Sequence, residues 1–144
     1  MYKILLATDG SEHSIEAAKE VIKIAGPMQA EVTAISVVQA TPVYVGYDIP
    51  ASPSITLEIM DGLEDAARRI LESVKEQFKE KEIEIKIRIE KGQPAEVICS
   101  IAKEENYDLV VVGSRGLGGI KKFFLGSVSN SIVMSSEVPV LVVK

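Results

Sequence analysis

The chain has 144 residues, of which 47% are hydrophobic and 26% charged, and its formal net charge is −5. This length and composition predict one globular domain over residues 1–144 and exclude a disordered or collagen-like chain. The acidic balance argues against nucleic acid as the main partner, and a single cysteine, Cys99, excludes an internal disulfide framework. No apolar stretch is long enough for a signal peptide or a membrane span, so we expect a cytoplasmic protein without membrane contact.

The first part of the chain predicts two strands separated by a helix. An apolar run indicates a buried strand over residues 3–8, and Asp9-Gly10-Ser11 interrupts it where either Asp9 or Ser11 caps the next helix. That helix is expected to end at Gly26-Pro27, and β-branched residues predict a second strand over residues 31–38.

A long connector and a long helix follow. Residues 39–54 contain too many prolines and glycines for regular structure, so they are expected to form a loop. A helix is predicted from about residue 55 to about residue 81. Its apolar stripe, expected to face the sheet, consists of Ile59, Leu63, Ala66, Ile70, Val74 and Phe78.

The second half of the chain continues the alternation. Residues 83–89 alternate between isoleucine and charged side chains, as an edge strand with one solvated face does. Pro94 begins a short helix that extends to residue 105, and an apolar run predicts a fourth strand over residues 108–112. A helix over residues 126–136 then leads to a fifth strand over residues 138–143. The whole pattern predicts an α/β fold, with an open five-stranded parallel sheet and helices on both faces.

A glycine pattern follows the fourth strand. It reads Gly113-Ser114-Arg115-Gly116, nine residues, and then Gly126-Ser127 at a helix start. Glycines after a strand let the backbone turn with positive φ and approach a ligand closely. A helix start offers unpaired N–H groups and the positive end of a dipole to an anion. The pattern therefore predicts a phosphate site, which should meet Asp9 across a crevice at the carboxyl ends of the central strands.

These polar residues and glycines also have structural interpretations. The glycines either form a flexible loop or bind phosphate, and their spacing before a helix favours phosphate. Asp9 is a helix cap or a contact to ribose, and its place after a central strand favours ribose. Ser127 can cap its helix and bind phosphate at once. Arg115, Lys121 and Lys122 are solvated charges or phosphate ligands, with Arg115 the better candidate for a ligand.

Four other residues attract attention. His13 is expected to be exposed and without a ligand role, because no second histidine or cysteine lies near it. Cys99 is expected to be a buried structural thiol. Tyr44 and Tyr47 either cover a ligand or pack the long connector against the domain.

Over essentially its whole length, the chain resembles the universal stress protein family. The resemblance rests on Ala-Thr-Asp-Gly-Ser at residues 7–11, Ser-Val-Val at residues 36–38 and the strand over residues 108–113. The glycine pattern and the closing Val-Pro-Val-Leu-Val-Val at residues 138–143 complete it. The spacing from Gly113 to Gly126-Ser127 is similar to that of the ATP-binding branch of the family.

The resemblance implies a fold and a site. The fold is Rossmann-like, of the adenine-nucleotide alpha hydrolase type, with strand order 3-2-1-4-5. The backbone of Val37 would meet the adenine and Asp9 the nucleoside, while residues 113–116 wrap the phosphates and residues 126–128 complete their binding. The predicted nucleotide-binding residues are Ala7, Thr8, Asp9, Val37, Gly113, Arg115, Gly116, Gly126, Ser127, Val128 and Ser129.

The implied ligand is ATP, with AMP and ADP as alternatives. Mg²⁺ is expected to accompany the phosphates, held by them and by water rather than by protein ligands. The resemblance also implies a homodimer through the strand over residues 138–143, and an apolar strand at a sheet edge independently calls for a partner.

The sequence lacks the signatures that would define an enzyme. It has no Gly-x4-Gly-Lys-Ser/Thr loop, no strict Gly-x-Gly-x-x-Gly pattern and a single histidine. We therefore predict no catalytic residues. Together with the resemblance, this implies a regulatory stress-response protein whose conformation or partners depend on bound ATP. Two alternatives stay open. One is a slow ATPase or phosphotransfer protein in which Asp9 holds metal or water, and the other is a dimeric interaction module with an empty site.

Overall fold

Residues 1–39, 42–116 and 124–144 are described by a computed structural model, in which strands and helices alternate. The strands are β1 (Lys3–Ala7), β2 (Glu31–Val38), β3 (Ile85–Lys91), β4 (Leu109–Gly113) and β5 (Val140–Val143). The helices are α1 (Glu12–Met28), α2 (Pro53–Lys79), α3 (Pro94–Glu104) and α4 (Ser127–Ser135).

The strands form a parallel sheet in the order β3-β2-β1-β4-β5. This confirms the predicted strand order and the central position of β1 and β4. The chain moves from β1 to β2 on one side and returns to β4 on the other, so the order reverses between β1 and β4. In sheets of this kind a crevice opens at the carboxyl ends of the two strands that flank the reversal.

Two apolar cores lie on opposite faces of the sheet. Successive side chains of β1 point to opposite faces, so Leu6 packs with Phe78 of α2 on one side, and Leu5 packs with Ile98 of α3 and Ile132 of α4 on the other. All five side chains are almost completely buried. Burial on both faces explains why β1 shows no alternation of apolar and polar residues.

Helix α2 buries its apolar stripe only in its second half. Val74 and Phe78 are buried, whereas Ile59 and Leu63 are 40% and 43% exposed. The helix has 27 residues and β2 has 8. At ordinary rises the helix is about 40 Å long and the strand about 26 Å, so the first turns of α2 extend beyond the sheet. The expectation that the whole stripe faces the sheet is wrong for Ile59, Leu63 and Ala66, all of which are exposed.

Helix α1 ends later than its sequence predicts. Pro27 lies inside the helix, which continues to Met28 and stops at Gln29, a residue with φ of 49°. The N–H of Ala30 donates to the Ala25 carbonyl at 3.0 Å, so a non-glycine residue closes the last turn. None of the helices in the described part of the chain is both long and apolar enough to cross a membrane.

The two edges of the sheet differ in chemistry. At the β3 edge, Lys86 pairs with Glu31 at 2.7 Å, and Arg88 pairs with Glu90 and Glu105 at 2.6 Å each. At the other edge, β5 consists only of half-buried valine and leucine side chains. The alternating charges of the third strand therefore mark an edge, as predicted, while β5 offers an apolar edge.

Candidate functional site

A cavity of about 260 Å³ lies at the carboxyl ends of β1 and β4. All eleven residues predicted for nucleotide binding line it. The structure adds five further lining residues, which are Ser14, Ile35, Pro94, Ile98 and Val112. The segments that the sequence singled out therefore meet in one crevice, whereas their role in binding stays a prediction.

Asp9 holds the turn that joins β1 to α1. Its Oδ1 accepts a hydrogen bond from the N–H of Ser11 at 2.9 Å, and the Ser11 hydroxyl caps α1 by accepting from the N–H of Ser14 at 3.2 Å. Of the two predicted cap residues, Ser11 is thus the cap. The other carboxylate oxygen of Asp9 points at Gly116, where an added Cβ would lie 2.6 Å away. Asp9 therefore bridges the start of α1 and the segment that follows β4.

The three glycines of the pattern provide space rather than unusual backbone angles. Neither Gly113 nor Gly116 has a positive φ, and Gly126 has a φ of −58°. A Cβ on Gly113 would lie 2.6 Å from the backbone carbonyl carbon of His13, and one on Gly126 would lie 3.2 Å from Cα of Arg115. The expected positive-φ turn is wrong for these three residues, because close contact between neighbouring segments is what excludes a side chain.

We call residues 113–116 the glycine turn. Hydrogen bonds to α4 and β5 hold it in place. The N–H of Gly126 donates to the Ser114 carbonyl at 2.8 Å, and the N–H of Ser114 donates to the Val143 carbonyl at 2.7 Å. The buried hydroxyl of Ser129 donates to the Gly113 carbonyl at 2.6 Å. The turn is thereby fixed to the beginning of α4 and to the end of β5.

The start of α4 opens into the cavity. Gly126 occupies the N-cap position and has no side chain with which to cap the helix. Ser127 is the first helical residue, so the expectation that Ser127 caps the helix is wrong. Gly126, Ser127, Val128 and Ser129 all line the cavity. The first N–H groups of a helix have no partner within the helix, and the helix dipole is positive there. This end of the cavity therefore suits an anion.

Part of the cavity lining is apolar. Ile35 and Val37 of β2, Pro94 and Ile98 of α3, and Val112 of β4 provide its walls. The sequence did not identify four of these five residues. For Pro94 and Ile98 the reason is that only the packing of α3 on the sheet brings them beside the carboxyl end of β2. Such a slot suits a flat apolar group.

The backbone of Val37 is turned toward the crevice. The last paired residues of β1 and β2 are Ala7 and Ile35, and the N–H of Thr8 donates to the Ile35 carbonyl at 3.0 Å. Residues two apart in a strand direct their backbone polar groups to the same side. The N–H and C=O of Val37 therefore point to the β1 side, at a level where β1 has already ended.

The remaining candidates divide into three groups. Arg115 is half-buried and lines the cavity, whereas Lys121 and Lys122 lie outside the described residues. Tyr44 and Tyr47 are exposed and do not line the cavity. Within residues 1–39, 42–116 and 124–144, no three His, Cys, Asp or Glu side chains form a group that could hold a metal ion.

Two residues outside the predicted site, His13 and Cys99, differ from their expected burial. His13 is half-buried, and its Nδ1 lies 3.3 Å from Oγ of Ser114, so the expectation that His13 is exposed is wrong. Cys99 is half-buried rather than fully buried, and its burial raises the pKa of the thiol. A raised pKa leaves less of the reactive thiolate, which agrees with a structural role for Cys99.

The strand order and the crevice define an α/β protein of the class that binds ligands beyond the carboxyl ends of parallel strands. The sequence profile of the Universal stress protein family matches residues 1–144, so the chain belongs to this family.

Several relatives match over almost the whole chain. A universal stress protein of Methanocaldococcus jannaschii is 39% identical over 142 residues, which cover 99% of this chain and 81% of that protein. The universal stress protein YxiE of Bacillus subtilis is 36% identical over 146 residues, which cover 99% and 98% of the two chains.

Solved structures agree with this assignment. Universal stress protein UspA from Lactobacillus plantarum superposes with a TM-score of 0.87 at 26% identity, and the match covers 99% of this chain and 97% of UspA. A universal stress protein in complex with cAMP gives a TM-score of 0.74 at 25% identity, with 99% and 97% coverage.

Proposed function

We propose that this chain binds ATP in the crevice and acts as a nucleotide-dependent regulatory protein of the stress response. The observation that carries the proposal is the composition of a single cavity. Apolar side chains, the end of β2 with its open backbone and an uncapped helix start all line it. These three parts suit a base, its hydrogen-bonding edge and a phosphate chain, respectively. The likeness to a universal stress protein in complex with cAMP supports an adenine nucleotide.

The base is selected by the backbone of Val37. Each backbone residue offers one donor and one acceptor. On adenine, N1 accepts and the N6 amino group donates, so the N–H of Val37 pairs with N1 and its C=O with N6. Guanine carries a donor at N1 and an acceptor at O6, so the same two backbone groups would face guanine with the wrong polarity. The slot therefore favours adenine over guanine.

The ribose and the phosphates occupy the polar part of the crevice. Asp9 accepts a hydrogen bond from a ribose hydroxyl, since its carboxylate lines the cavity between β1 and the glycine turn. The N–H groups at the start of α4 and in the glycine turn bind the phosphates, and Arg115 adds positive charge. Mg²⁺ binds to the phosphate oxygens and water rather than to a cage of protein ligands.

Calorimetric titration of nucleotide-free protein tests this proposal. With Mg²⁺ present, ATP should bind saturably at about one molecule per chain, and GTP should bind at least about tenfold more weakly, which is the value of one good hydrogen bond. No heat from a demonstrably folded sample would refute ATP binding and favour the interaction module with an empty site. Release of inorganic phosphate, lowered in an Asp9→Ala variant that still binds ATP, would instead support the slow ATPase.

We also propose that two chains associate through β5. The carbonyl oxygens of Pro139 and Val143 accept hydrogen bonds from Val110 and Ser114, so these residues of the strand face β4. By alternation, the N–H and C=O of Val142 point to the open side of the sheet. An apolar edge with unpaired backbone groups is a template for pairing with another strand. A second copy of β5 satisfies both the apolar side chains and the backbone groups.

The Val142→Pro variant tests the association. Proline removes an N–H that makes no hydrogen bond to β4, so the fold should survive while pairing across the edge is lost. Light scattering coupled to size exclusion should give a dimer for the natural chain and a monomer for the variant, with unchanged circular dichroism. A variant that stays dimeric would contradict pairing through β5. Tyr47→Pro, at an exposed position of the connector, provides a control.

A further inference from the structure

Ser114 is the one residue of the glycine turn whose side chain faces away from the cavity. Gly113, Arg115 and Gly116 line the cavity, whereas Ser114 does not. Only 5% of Ser114 is exposed, and a buried hydroxyl requires a hydrogen-bond partner. The partner is Nδ1 of His13, which lies 3.3 Å from Oγ. The side chain of Ser114 therefore contacts the first turn of α1 rather than a ligand.

The first turn of α1 supports the glycine turn at two more points. The Ser11 hydroxyl donates to the Arg115 carbonyl at 3.4 Å. The backbone of His13 approaches so closely that a Cβ on Gly113 would lie 2.8 Å from the His13 carbonyl oxygen. The turn is thus held against α1 by its backbone on both sides of Ser114. Between these two points, the hydrogen bond between Ser114 and His13 adds a contact between side chains.

We propose that His13 and Ser114 are positioning residues that orient the glycine turn for the phosphate groups. The inference rests on the proposed ATP site and assigns a role to two side chains that do not line the cavity. Phosphate binding by backbone N–H groups requires those groups to converge on one point within a fraction of an ångström. The peptide units that follow Ser114 supply such groups. The Ser114 backbone stays hydrogen-bonded to Val143 and Gly126 without the bond to His13. Loss of that bond therefore leaves the turn attached to β5 and α4 but holds its backbone less firmly between Ser114 and Gly116.

A comparison of the affinity for ATP with the affinity for adenosine distinguishes a positioning role from a general loss of stability. His13→Ala and Ser114→Ala should each weaken ATP binding by about tenfold, the value of one hydrogen bond, and leave adenosine binding unchanged. The double variant should lose no more than either single variant, because both remove the same contact. His13→Asn places a polar nitrogen or oxygen at the position of Nδ1 and should recover most of the affinity.

Glu16→Ala, an exposed position one turn further along α1, is the matched control and should keep the ATP affinity of the natural chain. Amide hydrogen exchange of the ligand-free protein gives a second measurement that needs no nucleotide. In His13→Ala, exchange of the hydrogen-bonded N–H groups of Ser114 and Gly126 should accelerate, while exchange in β1 and β4 stays as in the natural chain.

The outcomes are distinguishable. If the natural chain binds no adenine nucleotide, the proposed function fails, whatever the exchange rates show. If the natural chain binds ATP but His13→Ala keeps the same ratio of ATP to adenosine affinity and the same exchange at Ser114 and Gly126, the positioning role is refuted. A selective loss for ATP with recovery in His13→Asn supports it.

Discussion

Replacing Gly116 with aspartate is expected to abolish ATP binding while the fold survives. A Cβ at this position would lie 2.6 Å from Oδ2 of Asp9, so the Asp9 side chain must move. The new carboxylate would also face Asp9 and the phosphates, and like charges in a crevice repel. The affinity for ATP, measured by calorimetry, should fall by at least about 100-fold, or about 2.7 kcal/mol.

Gly62→Asp is the matched control for this variant. It adds the same side chain and charge on α2, where a Cβ meets no atom within 4 Å. Gly62→Asp should bind ATP like the natural chain. Retained affinity in a folded Gly116→Asp variant would show that the phosphates lie elsewhere. Gly116→Ala in an Asp9→Ala background adds a further comparison, because removal of the Asp9 carboxylate makes room for the methyl group.

Gly113→Ala is expected to have the largest effect on stability. The added Cβ would lie 2.6 Å from the carbonyl carbon and 2.8 Å from the carbonyl oxygen and Cβ of His13. Two of these atoms belong to the backbone of α1, which cannot move without disturbing the core beneath it. A single extra methyl in a well-packed interior costs about 1–3 kcal/mol, and we expect Gly113→Ala to reach or exceed the upper value.

Urea denaturation followed by circular dichroism measures this cost. Gly62→Ala is again the control and should raise the free energy of unfolding by about 0.5–1 kcal/mol, because alanine is the better helix former. If Gly113→Ala unfolds at the same urea concentration as the natural chain, the close packing of α1 on the glycine turn is wrong.

The fold was largely predictable from local patterns. β1 and β4 are apolar because both of their faces are covered, and the alternation of isoleucine with charged residues in β3 reflects one solvated face at an edge. Patterns of this kind depend on a residue's own burial. They do not show how far the neighbouring sheet extends. The apolar stripe of α2 was therefore assigned to the sheet along the whole helix, although the first turns of α2 lie beyond the sheet.

The residues of the candidate site were predictable from the sequence, but the physical reasons why glycine is required there were not. The glycine spacing identified the right segments, yet Gly113 and Gly126 are small because His13 and Arg115 pack against them. The contact between His13 and Ser114 spans 101 positions in sequence. No pattern within a single segment reveals such a pair. Pro94 and Ile98 were missed for the same reason, since their place in the cavity follows from the packing of α3 on β2.

The unlike edges of the sheet limit how far assembly can proceed. If two chains join through β5, the apolar edge of each is used, and the combined ten-stranded sheet ends in a β3 edge on either side. There, Lys86, Arg88 and Lys91 are engaged with Glu31, Glu105 and Glu64, and an added strand would have to displace these charges. Under the proposed association, each chain would offer a single edge for pairing, and growth would stop at a closed pair rather than continue into a filament.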